Sequence, residues 1–177
     1  KEKLQQVKRE NQVLMVSRLV EGKHHDRLIK IFASINKPDW KLILVGQPFP
    51  GEHIMDELKA LANKLGVGHN VIFTGQQENV EQYYLSSKVF AFTSSSEGFP
   101  NVVGEAMAAG LPVVSYDCFT GPSEMIKHSI NGFLVPVFDD VAFENSLQLL
   151  MNDSDTLDKF GKQAYQDINR FLPETIS

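Results

Sequence analysis

Two carboxylates and a turn mark the part of this chain where chemistry is most legible. Glu97 opens the stretch Glu-Gly-Phe-Pro-Asn, and Glu105 follows eight positions later. Gly98 and Pro100 enforce a tight turn, and Asn101 is suited to cap a helix beginning at Val102. The first N–H groups of that helix, chiefly those of Val102 and Val103, face a crevice where the helix dipole favours an anion such as phosphate. Neither carboxylate can usefully touch a phosphate, because like charges repel. Ionised carboxylates do accept strong hydrogen bonds from paired hydroxyls. A ligand with hydroxyl-bearing groups on both sides of a diphosphate suits the whole arrangement, and that description fits a nucleotide sugar.

These residues need a scaffold that brings them to one place. Val13–Val16, Leu42–Val45, Val71–Phe73, Val89–Phe92 and Pro112–Tyr116 are almost entirely apolar, as strands buried on both faces of a parallel sheet must be, and Phe133–Val135 is a sixth candidate. Between them, Asp26–Ile35 carries Leu28, Ile31, Phe32 and Ile35 at helical spacing, and Glu52–Leu65 carries Ile54, Leu58, Leu61 and Leu65. Helices are also expected at Val80–Ser86, Val102–Ala109, Val141–Met151 and Thr156–Phe171. Such alternation predicts an α/β fold: a Rossmann-like, right-handed, doubly wound parallel sheet of about six strands with helices on both faces. Ligands of such sheets lie beyond the carboxyl ends of the strands. Four places therefore stand out: Ser17-Arg18-Leu19 with Lys23, then Gly46, then Thr74-Gly75-Gln76, and the stretch from Thr93 to Glu105.

Composition narrows the partners. The chain has 177 residues, 42% hydrophobic and 22% charged, with a formal net charge of -5. This suits one domain with a packed core. Nucleic-acid binding would need clustered Lys and Arg, so no nucleic-acid partner is expected. The single cysteine, Cys118, permits no intrachain disulfide. No apolar run approaches the roughly 18 residues of a membrane span, so a cytoplasmic location is expected. The chain opens on Lys1 rather than Met, as a fragment would, and its charged start, KEKLQQVKRE, is expected to be a solvated helix or an interdomain connection.

The segments SRLVEGK, SEGFPNVVGEAMAAGLPVVS and NGFLVP, in that order, resemble the donor-binding domain of the retaining glycosyltransferases of family four. Those enzymes have two Rossmann-like domains, the GT-B architecture. The resemblance implies that residues 1–177 form the C-terminal, nucleotide-sugar-binding domain, with the acceptor domain lying outside this chain. It implies roles position by position. Arg18 and Lys23 grip the donor diphosphate, supplying positive charge in an otherwise acidic chain, with the backbone of Asn101 and Val102. Glu97 holds hydroxyls of the transferred sugar beside main-chain groups of Gly98, Phe99 and Pro100. Glu105 takes the ribose, and Gly75 and Gln76 meet the base edge.

Catalytic weight then falls on Arg18, Lys23 and Glu97. The cations and the helix N-terminus would stabilise charge on the departing phosphate. Neither cofactor nor metal is expected, and a UDP-sugar is the expected donor. The implied activity is hexosyl transfer with retention, in polysaccharide, lipopolysaccharide or glycoconjugate synthesis. A saccharide or lipid-linked acceptor would engage through the other domain, which would also make any contact with the inner face of a membrane. His24 stands where many relatives have Gly, a bulk expected to narrow the loop around Lys23.

Other readings stay open. The chain could be a donor-binding module without activity of its own, or a relative such as a sugar-nucleotide epimerase, although epimerases lack the stretch from Glu97 to Gly110. A receiver domain would need acids clustered at the end of its first strand. His24-His25-Asp26 are better explained as exposed polar residues than as metal ligands, since neighbouring side chains at a helix start diverge. Tyr83, Tyr84, Phe90 and Phe92 fit core or helix-face positions rather than a stacking platform, because nothing basic interleaves them. Ser94-Ser95-Ser96 lacks the glycines of a nucleophile elbow.

Overall fold

The apolar runs assemble into a six-stranded parallel sheet. In the computed structural model, which describes residues 8–97, 100–118 and 121–171, the strands are β1 (Gln12–Val16), β2 (Lys41–Val45), β3 (Val71–Gly75), β4 (Val89–Phe92), β5 (Val113–Tyr116) and β6 (Gly132–Val135). Their order is β3-β2-β1-β4-β5-β6, with every neighbouring pair parallel. The central strands are buried throughout: Val13, Leu14, Met15, Val89, Phe90 and Ala91 are all 0% exposed. That two-sided burial is why these strands show no polar alternation.

Helices cover both faces. They are α1 (His25–Ile35), α2 (Ile54–Lys64), α3 (Glu81–Ser86), α4 (Asn101–Ala108), α5 (Pro122–Met125), α6 (Asp140–Asn152) and α7 (Ser154–Phe171). α1 packs against α2 and α6, whereas α4 packs against α5 and α7. Successive crossovers run outward from β1 through β2 to β3, and the chain then returns to place β4 on the other side of β1. Between β1 and β4 the sheet therefore has its topological switch point, where the loops diverge and leave a crevice.

Three local points bear on the sequence reading, the first as a correction. α4 starts at Asn101, and Pro100 occupies the cap position with no side-chain capping bond. The Pro100 carbonyl accepts from the amides of Val103 at 3.0 Å and Gly104 at 3.5 Å, so Asn101 is already inside the helix and Val103 has spent its N–H. Second, of the charged start expected to be a solvated helix or an interdomain connection, residues 1–7 lie outside the described residues and residues 8–10 form no helix. Third, α5 and a 3-10 turn at Glu21–Lys23 were not foreseen, being too short to show a period.

The close approach of β2 to the loop after β1 depends on one glycine. Gly46 has φ 136, and a Cβ there would lie 1.9 Å from the Ser17 carbonyl oxygen. Its amide donates to the Gly75 carbonyl at 3.0 Å, so it cannot simply move away. Gly46→Ala should therefore lower unfolding free energy by about 2 to 4 kcal/mol, combining backbone strain with overpacking. Urea denaturation checks this, and an unchanged midpoint would show that the Ser17 loop is free to retreat.

Candidate functional site

The loop after β1 is built as an extension of the sheet. The Ser17 amide donates to the Val45 carbonyl at 3.0 Å and the Leu19 amide to the Gln47 carbonyl at 3.1 Å, while Leu19 is buried. The chain then turns through Glu21–Lys23 and enters α1 through His24, whose φ of 53 lies in the left-handed region. Glycine adopts that conformation without steric cost. From the far side of the switch point, buried Thr93 donates its hydroxyl to the Lys23 carbonyl at 2.8 Å, with the His24 carbonyl at 3.2 Å. The Ser95 amide adds a bond to the Gly22 carbonyl at 3.2 Å. The loops after β1 and β4 are thereby joined.

The bulk of His24 is taken up by contacts with two other loops. Its Nε2 meets Ser95 Oγ at 2.8 Å, and its ring packs edge-on against Phe138 with centroids 5.0 Å apart. The side chain leaves the Lys23 side of the loop and fastens it to two others. Beside it, Lys23 Nζ forms an ion pair with Glu97 Oε1. Both side chains are half-buried, at 22% and 15% exposure, so solvent screens the pair only partly. The two residues assigned to phosphate and sugar thus meet at one point.

Arg18 is exposed, and its guanidinium lies 4.2 Å from the centroid of the Phe49 ring. This cation–π contact fixes the charge at the rim of the loop without neutralising it. Across the crevice, α4 directs its first N–H groups, those of Asn101 and Val102, out of its N-terminus, since a helix offers them no acceptor of its own. Glu105 lies one turn inside and is exposed, and its Oε2 accepts from the Tyr84 hydroxyl at 2.9 Å. On the opposite flank, Gly75 ends β3 with φ 71, and the exposed Gln76 accepts from Gln47 Nε2 at 2.7 Å. Pro100 is buried at the head of α4, while Gly98 and Phe99 lie outside the described residues.

A second recess, of about 890 Å³, opens on the α2 side of the β1 loop, lined by Glu21, Asp26, Glu52 and Glu57 against Lys30. Its excess of carboxylates has the wrong sign for a diphosphate. Among the described residues, no three of His, Cys, Asp and Glu are grouped to hold a metal ion. An Asp-x-Asp does occur at Asp153-Ser154-Asp155, but Asp153 caps α7, accepting from the Thr156 amide at 3.1 Å and hydroxyl at 2.8 Å. Cys118 is buried.

His25 departs from the expectation of an exposed residue. It is 2% exposed, one ring nitrogen meets Ser17 Oγ at 3.1 Å, and the other, Nδ1, is buried without a hydrogen-bond partner. A neutral imidazole tolerates this and an imidazolium does not, so burial pulls its pKa down to about 4, against a smaller upward pull from Asp26. Nothing in the residue pattern signals this burial, because His25 sits at a helix start where polar residues are usually solvated.

A six-stranded parallel sheet covered by helices on both faces, with cations, carboxylates and a helix N-terminus among the residues that follow its strands, defines a Rossmann-like domain. The comparisons make this specific. Residues 1–167 match the family described as glycosyl transferases group 1, and the chain belongs to that family. It is 31% identical over 169 residues to the amylovoran biosynthesis glycosyltransferase AmsD of Erwinia amylovora, covering 96% of this chain and 46% of that protein. HepE of Anabaena, solved in complex with UDP, superposes with TM-score 0.85 at 28% identity over 91% of this chain and 44% of its own. The C-terminal domain of a group 1 glycosyl transferase from Francisella tularensis is covered over 92% of its length, with TM-score 0.85 and 21% identity, and shows the shared fold. The chain thus has the C-terminal half of a GT-B fold and spans less than half the length of AmsD. Among the described residues, no helix is long and apolar enough to cross a membrane.

The buried imidazole makes the loop's support sensitive to acid. In the unfolded chain His25 takes up a proton near pH 6.5, and in the folded chain only near 4. Between those values the unfolded state binds more protons, so stability is full above about 6.5 and falls as pH drops towards 4, by up to roughly 3 kcal/mol. His25→Gln should flatten that dependence in denaturation measured from pH 7 to 4. An equally steep dependence in the variant would assign the acid loss to other groups.

Proposed function

We propose that this domain binds a nucleotide sugar, with UDP as the nucleotide, and supplies the donor half of a glycosyl transfer. The observation that carries the reading is the Lys23–Glu97 pair, which joins the loop after β1 to the loop that leads into α4. In this pair the ammonium and carboxylate neutralise one another. A bound donor divides them: the diphosphate takes Lys23, and hydroxyls of the transferred sugar take Glu97. Glu105 then receives the ribose diol. The UDP-bound relative HepE supports the choice of nucleotide.

In this reading the bond between the anomeric carbon and the diphosphate loosens as negative charge grows on the leaving oxygen. Arg18, Lys23 and the α4 amides meet that charge more strongly in the transition state than in the ground state. The site uses these fixed positive groups in place of a divalent cation. Retention of configuration follows the family pattern. Polysaccharide or lipopolysaccharide assembly is the setting suggested by relatives such as AmsD, and the acceptor would meet the donor in a cleft closed by a second domain.

Calorimetry with UDP tests the binding step. Affinity should be the same in EDTA and in magnesium, and Arg18→Ala should weaken it by about 1.5 to 3 kcal/mol, the range for a hydrogen bond to a charged group. Binding only in the presence of magnesium, or wild-type affinity in the variant, would contradict the proposal.

A further inference from the structure

Tyr84 was expected to be a core aromatic, and its ring is one. It is 4% exposed and stacked on Phe90 at 5.9 Å, with Phe90 stacked in turn on Phe92 at 6.1 Å. Packing alone would be served as well by Phe. The hydroxyl reaches out of this stack to the carboxylate of Glu105, a residue that is otherwise solvent-exposed. An exposed Glu samples many rotamers, and holding one of them costs conformational entropy when a ligand binds. A donor rooted in a rigid aromatic stack removes that freedom beforehand. The bond uses Oε2, and among the described residues no other hydrogen bond reaches the Glu105 carboxylate, so Oε1 is the oxygen left for a ligand.

The frame holding these two residues is equally fixed. Arg9 donates through Nη1 to the carbonyls of Tyr84, Leu85 and Ser87, at 3.0, 3.2 and 2.9 Å, and through Nη2 to the carbonyl of Ala109. One guanidinium therefore binds the C-terminal ends of both α3 and α4, where helix dipoles favour a cation. The helices bearing Tyr84 and Glu105 are locked to each other by a single charge. Burial, with the nearby Glu105 charge, pushes the Tyr84 phenol well above its ordinary pKa, so it remains a donor at every pH of interest.

We propose that Tyr84 is a positioning residue for nucleotide recognition: by fixing one oxygen of Glu105 it aims the other at the ribose diol, and so sets the preference for a ribonucleotide over a sugar lacking those hydroxyls. This rests on the assignment of Glu105 to the ribose. It extends that assignment to a buried residue that need not touch the donor.

The test is calorimetry on the chain with UDP and with 2′,3′-dideoxy-UDP, in the wild type and Tyr84→Phe, which keeps the ring and its stack. Wild type should favour UDP. Tyr84→Phe should weaken UDP by about three- to tenfold, the loss expected for one hydrogen bond, and leave the dideoxy analogue unchanged, so the ratio between the two collapses. Glu105→Ala removes the acceptor of the Tyr84 hydroxyl, and Tyr84→Phe added to it should cost UDP affinity less than it does alone. Unchanged UDP affinity in Tyr84→Phe, or equal weakening of both ligands, would overturn the positioning role alone. A wild type that binds none of UDP, GDP and ADP would overturn the nucleotide reading, and this inference with it.

Discussion

The bond from the Thr93 hydroxyl to the Lys23 carbonyl ties together the two loops on which the site depends. Parallel strands order their own backbones but leave the loops beyond them unconstrained, and at a switch point those loops diverge. Buried Thr93 closes the divergence from within the core, and the His24–Ser95 contact closes it again nearer the surface. Between these two fastenings lies the backbone of Lys23. Its ammonium can meet Glu97 only because the β1 and β4 loops are held at one spacing. The strained entry through His24 and the glycine at position 46 are local conformational costs of the same close approach.

The charge distribution follows from that geometry. A chain with a net charge of -5 has no general attraction for phosphates, so positive potential must be made locally. Three sources follow the strand ends: the Lys23 ammonium, the Arg18 guanidinium held on Phe49, and the N-terminal amides of α4. Each carries a different constraint. Lys23 is paired and half-buried, Arg18 is exposed, and the amides are fixed in the backbone. Glu97 sits directly on Lys23, and Glu105 stands one turn inside α4 on the Tyr84 hydroxyl. The acidic recess on the other side of the β1 loop shows how closely the sign of the surface follows the loop path.

Much of this was legible in the sequence, for physical reasons. Two-sided burial leaves uninterrupted apolar runs, so all six strands could be named, and the strand ends then drew attention to Arg18, Lys23, Gly75, Glu97 and Glu105 as candidates. What escaped depends on contacts between distant positions. Tyr84 looks like any core aromatic until its hydroxyl is found on Glu105. Thr93 looks like the end of a strand until it meets Lys23. Asn101 has the chemistry of a cap, but the carbonyl of Pro100 takes the first helical bonds and draws Asn101 inside α4. His25 is polar by type and buried by place, and His24 adopts a conformation suited to glycine, with its ring turned to Ser95 and Phe138 instead of into the loop.

The central claim is that the two acids flank one diphosphate, each serving a different sugar. It is tested most directly by measuring UDP and UDP-glucose affinities in Glu97→Ala and Glu105→Ala. If the account is right, Glu105→Ala weakens both ligands alike, because the ribose is common to them, whereas Glu97→Ala leaves UDP nearly unchanged and removes whatever additional affinity the conjugate gains from its hexose. Equal loss of UDP in both variants would contradict the account, for it would mean that Glu97 and Glu105 do not divide the ligand between them.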